Sequence, residues 1–377
     1  MPASVCEPMA RSVDFRQAPK PGLIADSETT GSKNNRWPSA SVVIPCFNEQ
    51  RFISSVLENL ARQYDRGNYE IIVVDGMSTD RTRQIIEEFA TSHPELRIRI
   101  VDNPARNIPT ALNLGIAAAT GEIIVRMDAH SVPTEGYVRR CVEHLNSGSV
   151  SVVGMPWRIK PGSDSLTARA IALAVAHPFG IGDAQYRLQV DTARLVDTVP
   201  FGAFRKSLWT ELGGYNEELL ANEDYDFNYR VRKSGGQILL DPAEHCEYYA
   251  RVTLAELATQ YARYGHWKAQ MIKLHPRSIK VRHLVAPAFV LSLFGFGILS
   301  ILSLPASAWM WSGHAPAAFL LILGTYLLCS IFVAVVLAVK AQNWKLVPFI
   351  VASFLCLHVA WGSSFLRGLF THKSAFS

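Results

Sequence analysis

The stretch Ile123-Ile124-Val125-Arg126-Met127-Asp128-Ala129-His130 decides how the rest of this 377-residue chain is read. An apolar run too short for a helix stops at an acid, a small residue and an imidazole. That pattern belongs to a buried strand whose C-terminal end emerges into a cleft. Asp128 and His130 are two positions apart, so on an extended chain both side chains point the same way. A carboxylate oxygen and an imidazole nitrogen on one side can share a divalent cation, and Mn²⁺ suits such a mixed pair. An isolated Asp-x-His is more commonly a polar turn; what raises this one above that is the chain around it.

Upstream, Ser41-Val42-Val43-Ile44-Pro45 is a strand stopped by proline. Asn48 is placed to cap an amphipathic helix running to about Arg62. Tyr69–Asp75 is a second strand ending in an acid, and the turn Gly76–Asp80 opens a helix to about Ala90. Leu96–Val101 is a third strand, with Asp102-Asn103-Pro104 at its end. A helix then spans about Ile108 to Ala119 and stops at Gly121. Strand and helix in alternation predict right-handed βαβ units and a mostly parallel sheet. Ligands sit at the C-terminal strand ends of such sheets. Asp75, Asp102 and Asp128 all fall there, and their agreement weighs more than any one of them.

Further on, the pattern predicts helices at about Tyr137–Asn146 and Leu166–Val175, and an apolar strand within Val150–Pro156. An apolar loop covers Pro178–Gly182, and a short strand within Thr198–Arg205 enters the cleft. Glu223-Asp224 open a helix through Lys233, and Gln237–Leu240 form a last strand.

The balance of 37 Lys and Arg against 32 Asp and Glu leaves a mild net charge of +5, with no dense basic face or RNA-binding aromatic motif. Nucleic acid is therefore not an expected partner. Six scattered cysteines without a Cys-x-x-Cys signal neither a disulfide framework nor a structural zinc site, which suits a reducing compartment. Residues 1–38 lack periodicity and an apolar signal core, and read as a disordered tail.

After residue 250 the character changes. Thr253 to about Lys273 forms an amphipathic helix with Tyr261, Tyr264 and Trp267 among Arg263, His266 and Lys268. The region 251–283 thus reads as a helix lying in a membrane interface. About Leu284–Leu304, Ala317–Val339 and Leu346–Leu366 lack Asp, Glu, Lys and Arg, and about 20 such residues cross a bilayer. Residues 284–366 are therefore expected to be three transmembrane helices, with 367–377 a short tail. Arg277, Lys280 and Arg282 before the first span, and Lys340 and Lys345 after the second, place the N-terminal domain in the cytoplasm. Arg367 and Lys373 then fall outside, a conflict that two spans and a re-entrant third segment would remove.

These residues also follow, in order, the pattern of a known family. Ser41–Pro45 with Asn48-Glu49, Val73-Val74-Asp75-Gly76 with Ser78-Thr79-Asp80, Asn113-x-Gly115, Gly121, Asp128-Ala129-His130, Gly213-Gly214-Tyr215 and Glu223-Asp224 resemble family 2 glycosyltransferases. Arg126–His130, Asp197–Gly202 and Asn222-Glu223-Asp224 are similar to the ExoA-like subgroup of succinoglycan and exopolysaccharide assembly. The resemblance spans about residues 40–250 and implies a GT-A fold, a Rossmann-like α/β domain over 39–250. It departs from the commonest metal motif, Asp-x-Asp, in having His130 at the third position.

The resemblance further implies the chemistry. Asp128 and His130 hold Mn²⁺ or Mg²⁺, which stabilises charge on a departing diphosphate. Pro45, Glu49 and Asp75 match uridine-binding positions, with Asp102 beside them and Asp128 also on the donor. Asp224, with Glu223 next to it, matches the general base that takes the acceptor proton. Gln260-Tyr261-Ala262-Arg263-Tyr264 is similar to the Gln-x-x-Arg-Trp motif of membrane synthases, which adds Gln260 and Arg263 to the donor site. The implied enzyme is an inverting transferase in the cell membrane. It moves glucose or a similar hexose from a UDP-sugar to a polyprenyl-diphosphate-linked glycan, alone or in a polysaccharide assembly complex. A processive synthase and an inactive nucleotide-binding scaffold are the competing readings; product length separates the first, and the intact acids argue against the second.

Overall fold

The computed structural model describes residues 37–64, 69–302 and 314–371. Residues 1–36 of the expected tail and 372–377 lie outside the described residues. The ordered domain begins at Trp37, which packs on the core, and the Pro38 carbonyl accepts from the Tyr64 hydroxyl at 2.9 Å.

The chain runs β1 (Ala40–Cys46), α1 (Ile53–Leu60), β2 (Tyr69–Asp75), α2 (Thr82–Ser92), β3 (Arg97–Asp102), α3 (Ile108–Ala118) and β4 (Ile123–Arg126). It continues β5 (Val132–Pro133), α4 (Tyr137–Ser147), β6 (Val152–Gly154), β7 (Trp157–Lys160), α5 (Leu166–Val175) and α6 (Pro178–Ile181). Then come a 3-10 turn (Gln185–Arg187), β8 (Arg194–Leu195), β9 (Ala203–Arg205), α7 (Lys206–Leu212), α8 (Glu223–Lys233), β10 (Ile238–Leu240) and β11 (Cys246–Tyr249). Four long helices follow: α9 (Leu254–Leu274), α10 (Arg282–Leu302), α11 (His314–Lys340) and α12 (Val347–Phe370).

The main sheet has the order β3-β2-β1-β4-β9-β6-β10-β8. β3, β2, β1 and β4 are mutually parallel, as the alternating pattern predicts. β9 enters antiparallel between β4 and β6. The unforeseen strands β7 and β11 form a small sheet with β5. Alternating β1 side chains show why the main sheet is buried on both faces. Val42 and Ile44 join α1, α2 and α4, whereas Val43 joins α3, α7 and α8. Each such fully buried aliphatic contributes about 1.5–3 kcal/mol.

One local expectation is corrected. Asn48 does not cap α1, whose preceding residue is Phe52. Asn48 sits at φ 55°, and its Oδ1 accepts the Thr79 N–H at 2.8 Å. A tertiary hydrogen bond between two turns thus prevails over a local cap.

α10, α11 and α12 are each long and apolar enough to cross a membrane. They do not stand alike. The approach to α12 and its first half, through Leu346, Ile350 and Phe354, packs on Ala170 and Ala174 of α5 and Ala334, Leu337 and Ala338 of α11. Its second half lies along α9, where Ala269 and Ile272 meet Phe365 and Trp361. At Gly265 a Cβ would stand 2.3 Å from the Trp361 carbonyl oxygen, so glycine permits the two helix backbones to touch. Gln270 and Lys273 donate to the Thr371 carbonyl at 3.2 and 2.9 Å, closing the end of α12. The opposite side of α9, through Trp267 and Met271, packs on Leu219, Ala221 and Tyr225. The aromatic face expected to meet lipid headgroups is therefore spent on protein contacts, because α12 and the α8 approach both compete for it.

Candidate active site

The order of the parallel strands reverses at β1, with β2 on one side and β4 on the other. A crevice opens at the C-terminal ends where such a reversal occurs. Glu49, following β1, and His130, following β4, meet across it, with Glu49 Oε1 and His130 Nδ1 3.2 Å apart. That hydrogen bond and the Asp128 charge pull the imidazole pKa up against the effect of burial.

The expected extended geometry of Asp128 and His130 is corrected. β4 pairs with β1 only to Arg126, and the Ser131 N–H then donates to the Asp128 carbonyl at 3.1 Å, making a turn. With ladder pairing ended, the backbone folds back. Asp128 faces Arg126 (Oδ1–Nη2 3.5 Å) while His130 faces Glu49. Among the described residues no three His, Cys, Asp or Glu side chains are grouped to hold a metal ion. Asp128 and the Nε2 of His130 nevertheless have the right donor chemistry for a two-point site that ligand oxygens would complete.

Arg126 is the centre of the acidic group. It is the last residue of β4 and 6% exposed. Its Nη1 stands 2.9 Å from Glu223 Oε1, at an angle that makes an ion pair rather than a hydrogen bond, and its buried Nε has no partner. Burial, set against Arg126, pushes the Glu223 carboxyl up to about 7. Asp224 is raised for the same first reason, with Arg126, the Tyr225 N–H and Lys268 opposing. Asn222 takes a left-handed φ of 64°, which turns the chain so that both acids open α8. Asp224 is partly exposed, whereas Glu223 is buried behind it. Asp224 is therefore the acid within reach of a ligand.

The remaining predicted residues form two further groups. Asp75 is fully buried and accepts from the Ser78 hydroxyl at 2.5 Å, and Arg83 bridges Asp75 (3.2 Å) to Asp102 (2.7 Å). Burial with the Glu49, Asp75 and Asp80 charges pushes the Cys46 thiol up, so these acids gather round the end of β1, where Pro45 also lies. On α9, Gln260 donates to the Tyr248 and Tyr264 hydroxyls at 2.9 and 3.2 Å. Arg263 donates to the Leu220 carbonyl at 2.8 Å and so ties down the approach to Glu223.

Sequence reasoning missed Arg126, Arg83 and Lys268. A lone arginine ending a buried apolar strand is a signal that a counter-charge awaits it, and could have flagged Arg126. Lys268 reads as part of a basic helix face, yet it is buried with its Nζ 3.1 Å from the Tyr225 ring centroid, and desolvation pulls it down to about 7.

Residues 41–212 match the glycosyl transferase family 2 model. The chain carries a family 2 glycosyltransferase domain. The transferase is 28% identical over 334 residues to the succinoglycan biosynthesis protein ExoA of Rhizobium meliloti, covering 88% of this chain and 95% of that protein. It is 27% identical over 238 residues to a Methanococcus voltae diacetamido-dideoxy-glucuronosyltransferase, covering 62% and 74% of the two chains. Its fold is shared with the mannosyltransferase PcManGT of Pyrobaculum calidifontis, solved with GDP-Man and Mn²⁺, at a TM-score of 0.53 and 21% identity, over 87% and 88% of the chains. The enzyme is thus a GT-A glycosyltransferase of glycan biosynthesis.

Removing one partner of a buried ion pair costs about 3–5 kcal/mol, because the other charge is left without compensation. Arg126→Met should therefore lower the unfolding free energy of the purified enzyme by about that amount, and Arg126→Met/Glu223→Gln should recover much of it. Strictly additive losses in chemical denaturation would show that the two groups do not interact.

Proposed function

We propose that this transferase is inverting and membrane-anchored, and that it moves glucose or a similar hexose from a UDP-sugar to a polyprenyl-diphosphate-linked oligosaccharide. The carrying observation is the placement of Asp224. It is the partly exposed neighbour of buried Glu223, which Arg126 links to Asp128 at the strand-order reversal. The similarity to ExoA over 88% of this chain and 95% of that protein supports the glycan-assembly setting.

In this reading Pro45, Glu49, Asp75 and Asp102 receive the nucleoside at the ends of β1 to β3. Asp128 and His130 would hold Mn²⁺ or Mg²⁺, which neutralises charge on the leaving diphosphate. Asp224 accepts the proton of the acceptor hydroxyl as its oxygen bonds to the anomeric carbon. The bond from that carbon to the diphosphate breaks, UDP leaves and the configuration inverts. Glu223 acts through Arg126, as a positioning residue. Gln260 and Arg263 support the site from α9, Arg263 through the Leu220 carbonyl.

The packing of α12 supports one membrane arrangement. Both ends of α12 touch elements that belong to or rest on the catalytic domain, α5 at the start and α9 at the end. A Cβ at Gly362 would lie 2.6 Å from the Ala286 carbonyl, so α12 also crosses the first turns of α10. The arrangement we favour has α10 and α11 crossing the cell membrane and α12 lying beneath them against a cytoplasmic catalytic domain. Arg367 then stays on the cytoplasmic side, as the positive-inside rule prefers.

Two outcomes test this function. Purified enzyme given a panel of UDP- and GDP-sugars with polyprenyl-linked acceptors should release UDP from one donor, with a β-linked product from an α-donor. Asp224→Asn should lower kcat by about 10²–10⁴-fold with donor KM little changed, the range general-base removal gives. Retention of configuration, or wild-type turnover by Asp224→Asn, would contradict the mechanism. In intact cells or sealed inside-in vesicles, Thr371→Cys should resist an impermeant maleimide until lysis. Labelling from outside would instead make α12 a third span.

A further inference from the structure

Outside the acidic group lies a buried cation that no carboxylate pairs with among the described residues. Arg187 closes the 3-10 turn after α6 and is 7% exposed. Among the described residues no carboxylate pairs with its guanidinium and no hydrogen bond takes its side-chain N–H groups. Aromatic rings surround it instead. Its Cζ lies 4.8 Å from the Trp157 ring, 5.6 Å from Tyr186 and 5.6 Å from Tyr248. Trp157 and Tyr248 stack at 4.2 Å with parallel planes. The Trp157 indole N–H is buried and unpartnered.

Ring faces offset part of the cost of burying a cation, but they accept few of its five N–H donors. The guanidinium keeps its charge, so with no protein acceptor in place it favours an anion that can reach it. The cage thus presents a fork of donors that no protein acceptor takes, a match for a tetrahedral oxyanion.

The location narrows the source. Tyr248 is held by Gln260 of α9, which also holds Tyr264, and the Tyr264 carbonyl accepts from Asn222 at 3.4 Å, next to the two acids. On the other side, Tyr261 packs with Leu357 of α12 and with α5. The cage therefore lies between the chemistry and the apolar helices.

We propose that Arg187 and the Trp157–Tyr186–Tyr248 cage seat a phosphate or diphosphate oxyanion of one substrate. The identity of that substrate rests on the transferase function above. The lipid-linked acceptor and the nucleotide donor both carry the group, and the position beside α12 favours the acceptor.

The test uses full-length enzyme in detergent with Arg187→Met, Arg187→Lys and Trp157→Phe. For an acceptor seat, Arg187→Met raises the acceptor KM about tenfold, equivalent to about 1.4 kcal/mol, and leaves the donor KM unchanged. Arg187→Lys recovers part of the loss, since charge remains and the fork is gone. Trp157→Phe, which keeps the ring stack, shifts the same constant less. A rise in donor KM alone assigns the seat to the nucleotide diphosphate. Inorganic pyrophosphate, UDP and a polyprenyl phosphate are added separately in melting experiments. At least one should raise the melting temperature of the wild type and not of Arg187→Met. That result without any sugar transfer would sustain the oxyanion seat while removing the transferase function beneath it. Normal transfer with both KM values and all three melting responses unchanged would overturn the seat. So would a general loss of melting temperature in which both KM values move together, the mark of a purely structural arginine.

Discussion

One buried guanidinium governs the centre of this enzyme. Arg126 is fixed at the end of β4, and Asp128, Glu223 and Asp224 are arranged around it. Three acids against one close base leave the pocket short of positive charge, which makes it hospitable to a divalent cation and to a proton. Burial decides how the acids behave. Glu223 is shifted from 4.5 to about 7, so the folded state holds a proton there that the unfolded chain would release. The sign follows: this acid contributes less to stability as pH rises between those two values, and the rest of the fold must hold the ionised pair together. Such a cost is usual where a site is shaped for chemistry rather than for stability.

Much of the scaffold was legible because it depends on local pattern. Apolar runs ending in Asp75, Asp102 and Asp128 located the strand ends, and the alternation of strands with helices implied parallel pairing. The pairing of Glu223 and Asp224 at a helix start was likewise visible. What stayed hidden depends on chain segments far apart in sequence. The fold-back after β4 sends Asp128 to Arg126 and His130 to Glu49, which no local spacing shows. Asn48 reads as a cap until the turn holding Thr79 is placed beside it. Arg187 is 30 positions beyond Trp157, and the rings around it are carried largely by β7 and β11, strands too short to announce themselves.

The apolar C-terminal helices teach the same lesson about composition. Length and hydropathy treat α10, α11 and α12 alike, yet only α12 is packed along most of its length between α5 and α9. Its glycines, Gly362 and Gly368, and the facing Gly265, permit backbone contacts that a helix surrounded by lipid does not need. Leu357 of the same helix packs with Tyr261 of α9 beside the Arg187 cage. In the proposed function, a substrate held in the bilayer would meet the catalytic domain across this seam.

The most direct test of the Arg126-centred account is the pH dependence of kcat in the wild type and in Glu223→Gln. Wild-type kcat should fall on the acid side as the coupled pair takes up its proton near 7, the value to which Glu223 is raised. In Glu223→Gln one negative charge is gone and Arg126 is freed to attend Asp224, so the acid limb should move to lower pH. An acid limb unchanged by Glu223→Gln would contradict a shared proton and separate Asp224 from the arginine that the account makes its partner.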